Sequence, residues 1–214
     1  MSVPDSPRFC EMPSMPTPQP IESICVYCGS SDAVDPALLA AAAELGRTLA
    51  HEGLRLVYGG GRVGLMGACA KAAHAARGRV FGVMPEFLRQ HEILYDVVET
   101  KVVRSMHERK MAMFEASDAF IILPGGVGTL EEAIELLSWR RLDLHRKPIV
   151  FFNPDGFWDH LFAFLHQTIA LKLAPEAFAE TWLAVARVQD LLPAIREMAA
   201  LEHDPIPKLI PRVT

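Results

Sequence analysis

Long apolar runs are missing from this sequence: none approaches the roughly 18 residues that a membrane-spanning helix needs. Its first residues also lack the basic-then-apolar order of a secretory signal. Positive charge is short too. Lys and Arg total 21 against 26 Asp and Glu, a formal net charge of −5 with neutral His. That balance excludes a protein that coats nucleic acid through its overall field, so any anion it binds must meet a local site. Cysteine is sparse, with four residues at positions 10, 25, 28 and 69, too few and too unevenly spaced for a disulfide framework. The expected compartment is therefore cytoplasmic. Cys25 and Cys28 have C-x-x-C spacing but fall inside a strand pattern, where the two side chains point to opposite faces. Redox or zinc chemistry is not expected there. The eight His show no H-x-x-x-H spacing, and no metal site is expected.

What is present is enough apolar material for one sizeable core: half of the 214 residues are hydrophobic and 22% are charged. Proline and glycine are segregated. Six of the 16 Pro lie in the first twenty residues, and all 14 Gly lie after them. Residues 1–20 therefore read as an extended Pro-rich leader, residues 21–204 as the folded domain, and the Pro-containing residues 205–214 as a tail.

Within the domain, short apolar runs alternate with longer amphipathic ones. Strands are expected at Ile24–Cys28, Leu54–Tyr58, Arg79–Met84, Val97–Val103, Ala119–Leu123, Ile149–Phe152 and, weakly, Val185–Val188. Helices are expected at Pro36–Leu49 (with Asp35 as N-cap), Leu65–Ala76, Met106–Ala116, Leu130–Leu142, Trp158–Leu171 and Leu191–Leu201. Near-continuous Val, Ile, Leu and Phe in strands that alternate with helices imply an α/β fold: a Rossmann-like, doubly wound parallel sheet in a single domain. Ligands of such sheets bind beyond the carboxyl ends of the strands. Each motif below falls at such an end.

Gly59-Gly60-Gly61-Arg62-Val63-Gly64 fits G-x-G-x-x-G between a strand and a helix. It is either a phosphate cradle of exposed backbone amides or a tight turn that needs glycine angles. The acid that a dinucleotide site wants at the end of the following strand is absent from Gly82-Val83-Met84. An NAD(P)-dependent enzyme is thereby disfavoured. Pro124-Gly125-Gly126-Val127-Gly128-Thr129-Leu130-Glu131-Glu132 breaks a buried strand with three glycines and opens a helix, so amides and a hydroxyl converge on one point, as a phosphate monoester requires. Thr129 and Glu132 also fit a T-x-x-E capping box, which leaves the three glycines unexplained. Ser105-Met106-His107-Glu108-Arg109-Lys110 contains a second capping-box pattern in Ser105 and Glu108. Arg109 and Lys110 beside it oppose the helix dipole and call for an anion, unless they pair with Glu115 or Asp118. Arg140, Arg141, His145, Arg146 and Lys147 read as a solvated helix end or subunit contact.

Taken together, S-M-H-E-R-K and P-G-G-V-G-T-L-E-E, with G-G-G-R-V-G-L-M-G and C-G-S-S upstream, closely resemble the LOG ("Lonely guy") family, whose members are cytokinin riboside 5′-monophosphate phosphoribohydrolases and have often been mislabelled lysine decarboxylases. The likeness runs from about Ile24 to Leu171, and the signature PGGxGTxxE is met by Pro124, Gly125, Gly126, Gly128, Thr129 and Glu132. Val127 stands where many plant relatives carry Tyr. The resemblance implies hydrolysis of nucleoside 5′-monophosphates to free base and ribose 5-phosphate. Arg109 and Glu132 would be the catalytic pair, and Glu92, Lys110, Gly125, Gly126, Val127, Gly128 and Thr129 would contact substrate. Ser30, Gly60 and Gly61, in the other matched loops, join the expected binding set. The resemblance implies a homodimer and calls for no cofactor. A non-catalytic nucleotide or molybdenum-cofactor carrier is the alternative on the same fold, one that would not need Arg109 and Glu132 together.

Overall fold

The computed structural model describes residues 20–90 and 94–201. The expected tail and all of the expected leader except Pro20 lie outside them, as does Glu92. Seven strands form one parallel sheet: β1 (Ser23–Tyr27), β2 (Arg55–Tyr58), β3 (Val80–Pro85), β4 (Glu99–Val103), β5 (Ala119–Ile122), β6 (Ile149–Phe152) and β7 (Leu183–Val185). Their spatial order is β4-β3-β2-β1-β5-β6-β7. The chain thus winds outward from β1 to β4, crosses back beside β1, and winds outward the other way. The fold is the Rossmann-like, doubly wound one that the alternation implies.

The strands at the centre are buried on both faces, which is why they carry no polar alternation. Ile24 and Val26 of β1 enter one apolar layer, with α1 (Pro36–His51), α2 (Gly64–Ala75) and α6 (Leu191–Leu201). Cys25 and Tyr27 enter the other, with α3 (Met106–Glu115), α4 (Val127–Arg141) and α5 (Asp159–Ala170). Cys25 and Cys28 accordingly lie in different layers. Asp35 caps α1 by accepting the Ala37 amide at 2.8 Å, and Pro36 follows it where a missing N–H costs nothing. Gly46 lets α1 and α2 meet at backbone contact, because a Cβ there would land on the Cys69 carbonyl. β4 is shorter than its apolar run predicts, since it is the sheet edge and only Val103 of it is buried. The last strand is displaced from Val185–Val188 to Leu183–Val185 because Val188 already begins a 3-10 turn.

The basic cluster after α4, expected as a solvated helix end or subunit contact, is only partly solvated. Arg141 and Arg146 are exposed, whereas Arg140 and His145 are buried. Arg140 Nη1 donates to the His145 carbonyl at 3.3 Å, and Lys147 Nζ donates to the Phe114 carbonyl at 2.7 Å while lying 4.0 Å over the Phe114 ring. The Lys147 amide donates to His145 Nδ1 at 3.2 Å, so the ring proton sits on Nε2, which reaches the Leu136 carbonyl at 3.1 Å. This is a neutral imidazole. Burial, reinforced by Arg140 and Lys147, pushes its pKa from 6.5 down to about 4. The folded pKa lies below the unfolded one, so the unfolded chain takes up the proton first and stability falls as pH drops from 6.5 toward 4. Through this residue the protein should lose about 2 kcal/mol between pH 7 and pH 5. Urea unfolding at the two pH values should show that loss in the native chain and its absence in His145→Gln.

Candidate functional site

The strand order reverses between β1 and β5, and the loops that leave these two strands diverge there, the condition for a crevice at the carboxyl edge of the sheet. The Gly29 amide donates to the Pro124 carbonyl at 3.1 Å and ties the two loops at its base. A pocket of about 310 Å³ opens in this place, lined from β1 by Tyr27, from the following loop by Cys28, Gly29 and Ser30, and from the amino end of α4 by Gly126, Val127, Gly128, Thr129 and Glu132. Arg109 of α3 faces these residues in the same pocket. Seven of the twelve sequence-expected site residues therefore meet: Ser30, Arg109, Gly126, Val127, Gly128, Thr129 and Glu132.

Arg109 reaches the pocket because of where α3 begins. Ser105 Oγ accepts the Glu108 amide at 3.1 Å and starts the helix. The reciprocal half of the expected capping box is redirected: the Glu108 carboxylate accepts the Arg104 amide at 2.9 Å instead of that of Ser105. One residue further, the Arg109 side chain turns inward and is only 6% exposed. Its Nη2 donates to the Gly59 carbonyl at 3.1 Å, and Nη1 lies 4.0 Å from Met106 Sδ. Its Nε is buried with no hydrogen-bond partner among the described residues. A Cβ on Gly59 would collide with Arg109 Nη2 and stand 3.0 Å from Met66 Sδ. The first glycine of the triplet thus makes room for a guanidinium. The next two are engaged elsewhere: the Gly60 carbonyl accepts the Tyr95 amide at 3.1 Å, and Gly61 bridges to Leu94. Gly60 and Gly61 do not line the pocket.

Helix α4 starts at Val127, three residues earlier than the sequence pattern implies, with Gly126 as its cap residue and no side-chain cap. Thr129 is therefore inside the first turn and is 4% exposed, which corrects the T-x-x-E capping box: Glu132 is a full turn too deep to return to an N-cap amide. The opening amides of α4 are left to whatever enters the pocket. The glycines divide into two kinds. A Cβ on Gly125 would strike the Thr129 side chain and come within 2.9 Å of the Gly29 amide nitrogen, so Gly125 serves packing and lies behind the pocket wall. Gly126 and Gly128 would place a Cβ in open space, and neither has a positive φ. No packing within the protein requires them.

Lys110 does not line the pocket. Its Nζ lies 2.6 Å from Glu131 and 3.1 Å from Glu135, fastening α3 to α4 and replacing the Glu115 or Asp118 pairing considered from sequence. Burial opposes its charge, but the two carboxylates outweigh that and raise its pKa. Inside the pocket, burial first, with the negative charge of Glu132 adding to it, pushes the Cys28 thiol and the Tyr27 phenol well above their ordinary values. Both stay neutral. Among the described residues the site's charge comes from Arg109, Glu132 and, at the rim, Glu131.

Sequence reasoning missed Gly59, Met66, Met106 and Met113 as lining residues. A signal for two of them existed: 106, 109 and 113 are spaced to share a helix face with Arg109.

Residues 66–195 match a family model described as "Possible lysine decarboxylase". A probable cytokinin riboside 5′-monophosphate phosphoribohydrolase of Oryza sativa subsp. japonica is 40% identical over 182 residues, 85% of this chain and 74% of that protein. The chain belongs to the LOG family. A cytokinin riboside 5′-monophosphate phosphoribohydrolase of Arabidopsis thaliana is 45% identical to this LOG-family chain over 147 residues, 68% of each protein. Among solved structures, the molybdenum cofactor binding protein from Rippkaea orientalis superposes with a TM-score of 0.62 at 25% identity, covering 84% of the LOG-family chain and 98% of its own.

Proposed function

We propose that this protein hydrolyses the N-ribosidic bond of nucleoside 5′-monophosphates, cytokinin riboside 5′-monophosphate or AMP, releasing the free base and ribose 5-phosphate. The observation that carries the reading is the pairing of Arg109 and Glu132 in one pocket with an uncapped α4 terminus whose Gly126 and Gly128 meet nothing. A phosphate supplies what that terminus lacks: an acceptor for its opening amides and a charge that suits the helix dipole. Thr129 and Ser30 border the same space. Gly125 shapes the loop, while Gly60, Gly61 and Lys110 support the site from behind. Glu92, outside the described residues, is assigned a nucleotide contact from family likeness alone.

Scission of an N-ribosidic bond builds positive charge on the anomeric carbon, as in O-glycoside hydrolysis. Glu132 is suited to stabilise that charge and to orient the attacking water. The water oxygen joins the anomeric carbon, the water proton passes to the departing base, and the bond to the base nitrogen breaks. Arg109, fixed by Gly59, orients substrate and assists departure of the base. Gripping the remote phosphate positions the reacting carbon against Glu132.

The domain is assigned residues 21–204, between the leader and the tail. Among the described residues no helix is long and apolar enough to cross a membrane, and we assign the enzyme to the cytoplasm. Val127, Leu130 and Ile134 form an exposed apolar stripe along α4, and a second copy of the chain is the occupant that homodimer formation would place there.

Incubation with AMP and with N6-isopentenyladenosine monophosphate, followed by separation of base from nucleotide, tests the reading. Free base with an equal yield of ribose 5-phosphate is expected. Tight binding without release would favour a carrier, the reading that the Rippkaea protein's likeness keeps in view.

A further inference from the structure

Two glycine-rich turns lead into helices, and they end differently. The amino terminus of α4 has no side-chain cap. That of α2 is closed by the chain itself. The Gly64 amide donates to Asp32 Oδ1 at 2.7 Å, and the Leu65 and Met66 amides donate to the Gly29 carbonyl at 3.1 and 3.4 Å. The Gly67 amide then makes the first bond within the helix, to the Val63 carbonyl at 3.0 Å. Those first three amides are the ones a phosphate would use, and the Asp32 carboxylate stands in the anion's place. Val63, the cap residue, contributes no side-chain bond of its own. Gly64 serves the same closure: its φ is +61°, and a Cβ there would lie 2.5 Å from the Ser30 carbonyl carbon.

We propose that Asp32 is a positioning residue, a built-in anion that fastens the loop of residues 29–32 to α2 and thereby holds one wall of the functional pocket. Gly29 and Ser30 line that pocket on one side and a second cavity of about 340 Å³ on the other. A wall with space at both faces is held by its hydrogen bonds more than by packing. Arg109 and Glu132 stand on α3 and α4, so loosening this wall weakens substrate binding and spares the chemistry. A wall that is in place only part of the time reduces apparent affinity by the fraction lost. Asp32 is itself exposed, so removing its carboxylate opens the place to solvent, and a small carboxylate can enter it. The role deepens the proposed hydrolysis and rests on it wherever activity is read.

The test compares the full chain with Asp32→Ala, Asp32→Asn and Asp35→Ala by steady-state assay, on AMP or N6-isopentenyl-AMP, and by thermal melting. Asp32→Ala should raise KM about five- to tenfold and leave kcat within about twofold of native, the population shift that loss of a helix cap allows. Asp32→Asn, whose amide oxygen still accepts from Gly64, should restore most of that loss. Asp35→Ala removes the cap of α1, outside the pocket. It should lower the melting temperature as much and leave KM unchanged. Acetate, added at constant ionic strength, should raise the melting temperature of Asp32→Ala more than that of the native chain, and should lower its KM relative to native. A native KM in folded Asp32→Ala, an equal rise of KM in Asp35→Ala, or an equal acetate response in both proteins overturns the role while leaving hydrolysis intact. A native chain that releases base from neither nucleotide overturns the hydrolase reading instead; the acetate response alone then decides whether Asp32 fills the anion's place on α2.

Discussion

Glu132→Gln should slow base release from a nucleoside 5′-monophosphate by about 100- to 10,000-fold while leaving thermal stability and KM nearly unchanged. The substitution keeps the shape of the side chain and removes one negative charge from a pocket where Tyr27 and Cys28 are held neutral. Among the described residues the neighbouring carboxylates, Glu131 and Glu135, are both engaged with Lys110. The proposed phosphate grip is on the preceding turn and should survive, so the loss should appear in kcat. Arg109→Lys should cost a similar factor, because an ammonium cannot both hold the Gly59 carbonyl and present a planar fork to substrate. If the two residues act on one transition state, the double variant will be little worse than either single one. Steady-state assay of the three proteins decides it, and turnover by Glu132→Gln within tenfold of the native rate would remove Glu132 from the chemistry.

The second large effect is expected at a residue with no side chain. Gly59→Ala should reduce kcat/KM by about 100-fold, the order that a misplacement of roughly 1 Å can cost. The added methyl would occupy the place of Arg109 Nη2 and crowd Met66 Sδ. Both are the free ends of flexible side chains, so the fold accommodates the change and the guanidinium does not. Circular dichroism and the melting temperature should therefore stay close to native while activity falls. Gly46→Ala provides the contrast, since its Cβ would meet the Cys69 backbone; there the cost falls on stability. A fully active Gly59→Ala enzyme would show that Arg109 is not held where catalysis needs it.

The alternation of strands and helices was legible because central parallel strands are apolar on both faces, and Ile24–Tyr27 and Ala119–Ile122 could be nothing else. Edge elements were not, for the same reason reversed: β4 buries only Val103, and β7 is three residues long. The start of α4 was misread because Thr129 has the chemistry of an N-cap. Gly126 holds that place instead, and its lack of a side chain is what leaves the amides open. The basic cluster looked solvated because charge usually is. Carbonyls of Phe114, Leu136 and His145, invisible in side-chain patterning, draw it inward. Of the site, Arg109 and Glu132 could be named from their motifs, but the role of Gly59 required knowing that β2 ends beneath α3.

The open terminus of α4 also bears on how the protein is handled. A helix whose first amides wait for an acceptor is completed by the anion it binds, and a ligand that prefers the folded state raises the melting temperature in proportion to the logarithm of its concentration. With the phosphate site proposed there, buffers containing inorganic phosphate or sulfate are expected to compete with substrate. They should also make the empty enzyme look sturdier than it is. Stability and kinetics are comparable only when measured in the same anion.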